Sequence, residues 1–268
     1  MASEQERVAT LDDLLIAERE LLHKYQLQDL PEEDGVPLET YYHRLQIGLL
    51  HELTYQLFKD RTDFYCGGNM FIFYDLQQAE QVIQFVQAQR PSAPYKGPDF
   101  FVVLGEVDGT KKRKHWVVWR EGGRYPDLII EITSPSTKQK DTEDNLELYA
   151  KVFRTQEYFW YDEEAGELAG YRLQGADYVP IAPNERGWLW SEVLGVWLGV
   201  SDLPYYGWRY RWLRYYDAEG RLVPTKEEIA ELERARAEAE RQRAEQAERR
   251  LAELEAELKR LRGESANE

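Results

Sequence analysis

Apolar positions return at helical spacing over "LDDLLIAERELLHKY" and again over "ETYYHRLQIGLLHELTYQLFKDR", where Leu45, Ile47, Leu49, Leu50, Leu53 and Leu57 predict one buried helical face. The "LPEEDGVP" between them marks a break. Four β-branched and aromatic runs follow, "GGNMFIFYDL", "PDFFVVLGEV", "HWVVWR" and "PDLIIEIT", bounded by Gly, Pro and Asp, and they predict strands joined by hairpins. "TKQKDTEDNLELYAKVF" returns to helical spacing, with Leu146, Tyr149, Ala150 and Phe153 on one side, before "EYFWYD" reads as a strand. A helix crossing over between two strands predicts an α/β architecture with a mixed sheet flanked by helices. Short strands over "AGYRL", "YVPI", "GWLWSEVLGVWLGV" and "RWLRYYD" complete the body. From about Lys226 the chain is almost only Glu, Arg, Ala, Gln and Leu, a long charged helix. There Leu251, Leu254, Leu258 and Leu261 follow 3,4,3 spacing, but the seam upstream is largely alanine and glutamate. A short coiled coil and a solitary helix held by pairs such as Glu245 with Arg249 are both open. The expected divisions are an acidic helical lead-in (1–34), a folded domain (35–224) and the helical tail (225–268).

Composition narrows this picture. With 43% hydrophobic and 13% aromatic residues in 268, the chain can bury a sizeable core. Its apolar runs are far too short to span a bilayer, and "MASEQERVATLDD" carries acids where a signal peptide needs bases, so the expectation is a soluble, unexported chain. The single cysteine, Cys66, forms no internal disulfide and no zinc cluster, which fits a reducing compartment such as the cytoplasm. A net charge of −16 counts against a generic phosphate-binding surface. Locally, however, Lys111, Lys112, Arg113 and Lys114 form a basic run that either grips a nucleic-acid backbone or is a solvated hairpin tip.

The strand "LIIEIT" holds an ionisable group, Glu131, among isoleucines. An unpaired charge there is costly, so it pairs, neutralises or binds a metal. Alternation places Glu131 with Ile129 and Thr133, and a second acid, Asp99, opens "PDFFVVL". If those strands are neighbours, the carboxylates converge as the start of a Mg²⁺ or Mn²⁺ site. The duller readings are a structural ion pair for Glu131, and turn residues for Asp99 and for Asp127, which shares Glu131's face. His43 and His51 lie two turns apart on the second helix; the aromatics Trp188, Trp190, Trp197, Trp208 and Trp212 either stack on bases or fill the core.

"GPDFFVVL", the strand with an internal glutamate, "SPST", then Asp141 and Tyr149 on a helix and "EYFWYD" together resemble the Uma-two family of proposed endonucleases. That family's core is similar to the PD-(D/E)xK restriction-endonuclease-like fold, and the resemblance covers roughly residues 35–224. It implies that Asp99 and Glu131 are metal ligands, that Glu39 or His43 completes the site, and that Asp141 serves it. Where the family carries a helix lysine this chain has Asn145, and where other members of the superfamily carry one it has Thr133. Lys138 and Lys140, just before the helix, are the candidate substitutes. The resemblance therefore implies a Mg²⁺- or Mn²⁺-dependent endonuclease acting on nucleic acid, DNA before RNA. The alternative is a catalytically lapsed nuclease fold serving as an adaptor, its tail recruiting a second copy or another protein.

Overall fold

Short-range capping sets where the helices begin. The Thr10 side chain accepts from the Asp13 N–H while Asp13 accepts from the Thr10 N–H, a capping box that opens α1 (Leu11–Lys24). Thr40 and Asp75 cap α2 (Tyr41–Leu57) and α3 (Leu76–Gln87) in the same way from one side. The computed structural model describes residues 9–31, 40–88, 97–133 and 145–264, with side chains as far as 258. By contact density the chain forms two units, Met1–Val223 and Pro224–Glu268.

The first unit is built on a mixed six-stranded sheet in the order β1 (Phe64–Gly67), β3 (Phe100–Leu104), β5 (Leu128–Thr133), β6 (Glu157–Asp162), β7 (Glu167–Gln174), β8 (Asp177–Pro180). β5 and β6 run parallel and every other neighbouring pair is antiparallel. All six side chains of β5 are buried, as expected of a central strand covered on both faces. On one face Phe100, Val102, Ile130 and Ile132 meet Leu49, Leu50 and Leu53 of α2. The same cluster includes a three-stranded antiparallel sheet, β9 (Leu189–Ser191), β10 (Val196–Ser201) and β11 (Trp212–Tyr216), through Leu198, Trp212 and Tyr215. Gln46 fixes α2 to β11 by bonding both the N–H and the C=O of Leu213, at 2.8 and 3.1 Å. On the other face Phe101, Val103, Ile129 and Tyr158 pack with Trp116, Tyr149 and Phe153.

Two expectations need correction. The run "GGNMFIFYDL" is not one strand: β1 ends at Gly67, β2 is only Ile72–Phe73, and Asp75 turns the chain into α3, whose buried Ala79, Val82, Ile83 and Phe85 gave a helical signal that went unread. "HWVVWR" likewise contributes just β4 (Trp116–Val117) before a 3₁₀ turn over Val118–Glu121. β2 and β4 form a separate parallel pair, so β3 and β5 are neighbours without being a simple hairpin. The helix after β5 is described only from residue 145, and Leu148–Phe153 forms a π-helical turn.

α1, in the acidic lead-in, packs onto the folded body. Its Glu18 is buried, accepts from Trp119 Nε1 at 3.0 Å and from Arg120 Nε at 3.1 Å, and Arg120 also binds Asp29 at 2.8 Å. In the second unit α4 (Lys226–Glu264) is one continuous helix whose Leu251, Leu254 and Leu258 are exposed. Among the described residues no helix is long and apolar enough to cross a membrane. Glu18→Ala leaves a buried indole N–H and the Arg120 guanidinium short of an acceptor, so it should lower unfolding stability by about 2 kcal/mol in urea titrations. An unchanged midpoint would mean that α1 docks without these bonds.

Candidate active site

The register of β3 on β5 pairs Phe100 with Ile130, which carries the next position, Asp99, opposite Glu131. Opposed residues of an antiparallel pair share a face, so both acids lie on the side occupied by Tyr149. Each carboxylate takes a backbone N–H from the other's strand: Glu131 Oε2 accepts from Asp99 N at 3.1 Å, and Asp99 Oδ2 from Ile132 N at 2.8 Å. Glu131 Oε1 accepts from the Tyr149 hydroxyl at 2.6 Å and more weakly from the Asn145 amide at 3.4 Å. Asp99 Oδ1 lies 3.0 Å from His43 Nε2, which reaches it from the first turn of α2. Glu131, Tyr149 and His43 are buried, whereas the Asp99 side chain keeps 17% exposure and is the opening of the site.

The loop after β1 supports this geometry, and the sequence reading passed over it. A side chain at Gly68 would come within 2.8 Å of His51 Nε2 and 2.9 Å of the Asp99 carbonyl, so only glycine fits there. Asn69, at φ 48°, donates its N–H to the carbonyls of Pro98 and Asp99 at 3.1 and 3.2 Å. "GGN" was the available signal, since paired glycines followed by an asparagine that tolerates left-handed backbone mark a close approach.

Of the remaining candidates, Glu39, Lys138, Lys140 and Asp141 lie outside the described residues. Asp127 sits apart from the acid pair and closes the ends of strands, its carboxylate accepting from Leu104 N at 2.7 Å and Gln156 Nε2 at 2.9 Å. In the basic run Arg113 is buried, donates to Glu121 at 3.0 and 2.9 Å, and lies over the rings of Tyr65 and Trp116. Lys111 also bonds Glu121, at 2.8 Å, while Lys112 and Lys114 are exposed.

The donor set suits a hard cation. No group of three or more His, Cys, Asp and Glu residues with metal-binding geometry occurs among the described residues, so a zinc-type cage is not formed by them. Mg²⁺ asks for less, usually one or two carboxylates with water and phosphate completing the shell. The oxygens of Asp99 retain lone pairs beyond the bonds they accept. Two residues along from Glu131 and on its face, the Thr133 hydroxyl is buried without a hydrogen-bond partner among the described residues, a polar atom that ordered water would satisfy.

The family model described as "Uma2: Putative restriction endonuclease" matches residues 51–202, more than half of the chain. A crystal structure of a putative nuclease belonging to DUF820 from Anabaena variabilis ATCC 29413 is similar at 14% identity, covering 70% of this chain and 91% of that one with a TM-score of 0.42. No curated protein matches the chain.

A second pairing near the acids resembles a thiol dyad, with Cys66 Sγ 3.4 Å from His51 Nδ1. Burial pushes the Cys66 thiol up to about 12 and pushes the His51 imidazole down, so both stand neutral at pH 7 and neither is an activated group. The thiolate fraction at pH 8 is then roughly 10³-fold below that of an exposed cysteine. Alkylation of the native chain at pH 8 should be correspondingly slow and become rapid in denaturant; equal rates in the two would overturn the assignment of Cys66 as an inert packing residue.

Proposed function

The chain belongs to the Uma2 family, described as putative restriction endonucleases, and from that premise we propose that it hydrolyses nucleic-acid phosphodiester bonds, DNA before RNA, with a divalent cation held by Asp99 and Glu131. The observation that carries this reading is the pair of carboxylates set opposite one another on adjacent strands, each held by the other strand's backbone. Mg²⁺ or Mn²⁺ bound there would supply an acidified water and charge neutralisation at the phosphoryl oxygens. His43 holds the rotamer of Asp99, and Tyr149 and Asn145 hold that of Glu131. His43 is thus assigned to orienting Asp99, with its Nε2 directed at the carboxylate. The Thr133 hydroxyl and the Asn145 amide are the polar groups placed to orient a water beside Glu131. Neither supplies the positive charge of the family's lysine, and one such electrostatic group is commonly worth on the order of 10²–10³ in rate. The position of Asn145 therefore favours a second reading, a slow or lapsed nuclease retained for binding.

Supercoiled plasmid incubated with the full chain in Mn²⁺ decides between them. Glu131→Gln preserves side-chain volume and should reduce nicking at least 10²-fold, with chelation doing the same. Calorimetric Mn²⁺ binding lost in Glu131→Gln but present in a wild type that cuts nothing would establish the lapsed form. Cutting that survives both controls would remove the metal and these two residues from the chemistry.

For the tail, the partner we propose is a second copy of the chain in parallel register. With Leu251 and Leu258 at a and Leu254 at d, the flanking g and e positions of two copies are complementary, Arg243 facing Glu248 and Arg250 facing Glu255. The bond from Arg250 to Glu253 within one helix, 3.1 Å long and exposed, costs little to exchange. Changing both Leu251 and Leu254 to Asp in the full chain should halve the mass measured by light scattering. An unaltered mass would place any self-association elsewhere.

A further inference from the structure

The tryptophan-rich C-terminal half of the first unit contains two kinds of aromatic residue that sequence alone could not separate. Trp212 and Tyr215 are completely buried in the core. Trp208 is 48% exposed, Tyr206 64% and Tyr41 52%. Apart from Tyr55 these are the exposed aromatic side chains among the described residues, and they gather in one place. The Tyr41 and Trp208 rings are 6.5 Å apart, Tyr42 lies 5.9 Å from Trp208 and stacks on Tyr210 at 4.6 Å, and Tyr206 follows Tyr205 at 4.7 Å.

The turn that presents Tyr206 and Trp208 is strained. Tyr205 and Trp208 exchange backbone hydrogen bonds at 3.1 and 2.9 Å around a two-residue loop, Tyr206–Gly207, in which both φ angles are positive, 48° and 75°. That is the pattern of a type I′ hairpin turn, whose first central position favours Asn, Asp or Gly. A tyrosine there strains the backbone, and nearly two-thirds of its surface faces water. Burial does not explain the choice.

We propose that Tyr206, Trp208 and Tyr41 form a stacking platform for the unpaired bases of single-stranded or locally opened nucleic acid. This rests on the nuclease reading above and names the form of substrate it takes. Two observations favour nucleic acid over another occupant, the arginines among the rings and the tie to the carboxylate pair. Exposed arginines are interleaved with the rings: Arg44 lies 5.7 Å over Tyr41, and Arg209 and Arg211 flank Tyr210 just after Trp208. The adjoining cleft of about 400 Å³ is lined by Arg209, Tyr210 and Arg211 beside Glu163, Glu164 and Asp202, so it offers no net positive charge of its own. Tyr41 and Tyr42 stand in the first turn of α2 together with His43, the residue that contacts Asp99. A base stacked on the platform is thereby tied, through one helical turn, to the carboxylate pair.

The test uses the full chain in chelator, so that nothing is cut, and follows the anisotropy of a fluorescein-labelled oligothymidylate and of an abasic oligomer of equal length. Wild type should prefer the base-bearing strand. Tyr206→Gly should weaken binding to it roughly 10-fold, the scale of one lost base–ring stack, while leaving the melting temperature equal or higher, because glycine relieves the turn. Trp208→Ala should weaken binding similarly. Four results would overturn the platform: unchanged affinity in both variants, a melting temperature that falls together with affinity, abasic and base-bearing strands bound alike, or no binding of either. The parent reading is separable: a wild type that nicks plasmid in Mn²⁺ yet ignores the oligothymidylate keeps the nuclease and loses the platform. Base-dependent binding without cutting keeps the platform and loses the nuclease.

Discussion

The register of β3 on β5 is the constraint from which the candidate site follows. Period-two alternation means that a slip of one residue along either strand would separate Asp99 from Glu131 and send one of them to the α2 face, among Leu49, Leu50 and Leu53. The register is held from both sides, by Phe100 and Ile130 against α2 and by Phe101 and Ile129 against Trp116 and Tyr158. Because both faces of β5 are buried, a carboxylate within it is tolerable only if its oxygens are satisfied. The Asp99 N–H, the Tyr149 hydroxyl and the Asn145 amide do this for Glu131. Folding and site construction are thus one event: the hydrophobic pattern that selects the register also builds the acid pair.

The surrounding elements then remove freedom from that pair. Gln46 ties α2 to β11 through both backbone groups of Leu213, and the same helix delivers His43 to Asp99. Gly68 and Asn69 bring the end of β1 against the Asp99 backbone from the other direction. Side chains held in one rotamer by packing and hydrogen bonds are what a site needs if it is to meet a metal ion without paying reorganisation at the moment of binding.

Much of this was legible in the sequence because it obeys short-range rules. Alternation along each strand and the condition that the two strands are neighbours put Asp99 beside Glu131, and apolar spacing marked α2. What escaped depends on partners distant in the chain. The basic run read as four equivalent cations, yet Arg113 is a buried fork on Glu121 and Lys112 is exposed, a difference made by the placement of Tyr65 and Trp116. Trp208 and Trp212 are four residues apart and looked alike; one sits just after a tight turn and the other enters β11. α3 was lost because the strand signal of "FIFY" runs without interruption into its cap, Asp75.

The charge balance connects the two ends of this reading. A chain with a net charge of −16 gains little from releasing counterions around a phosphate backbone, so affinity for nucleic acid has to come from terms that do not scale with positive surface. The proposed reading supplies two such terms. A divalent cation between carboxylates and phosphate converts local negative charge into a binding element. Base–aromatic stacking uses the π-faces of bases and is indifferent to the sign of the surface beneath. Both favour a strand whose bases are unpaired at the point of contact, where rings can be reached and the backbone can bend toward the acids. The proposed nuclease reading of an acidic chain with exposed rings at one end of its site helix is in this sense coherent, and its weak point is the missing lysine, for which neither stacking nor the hydroxyl of Thr133 provides a positive charge.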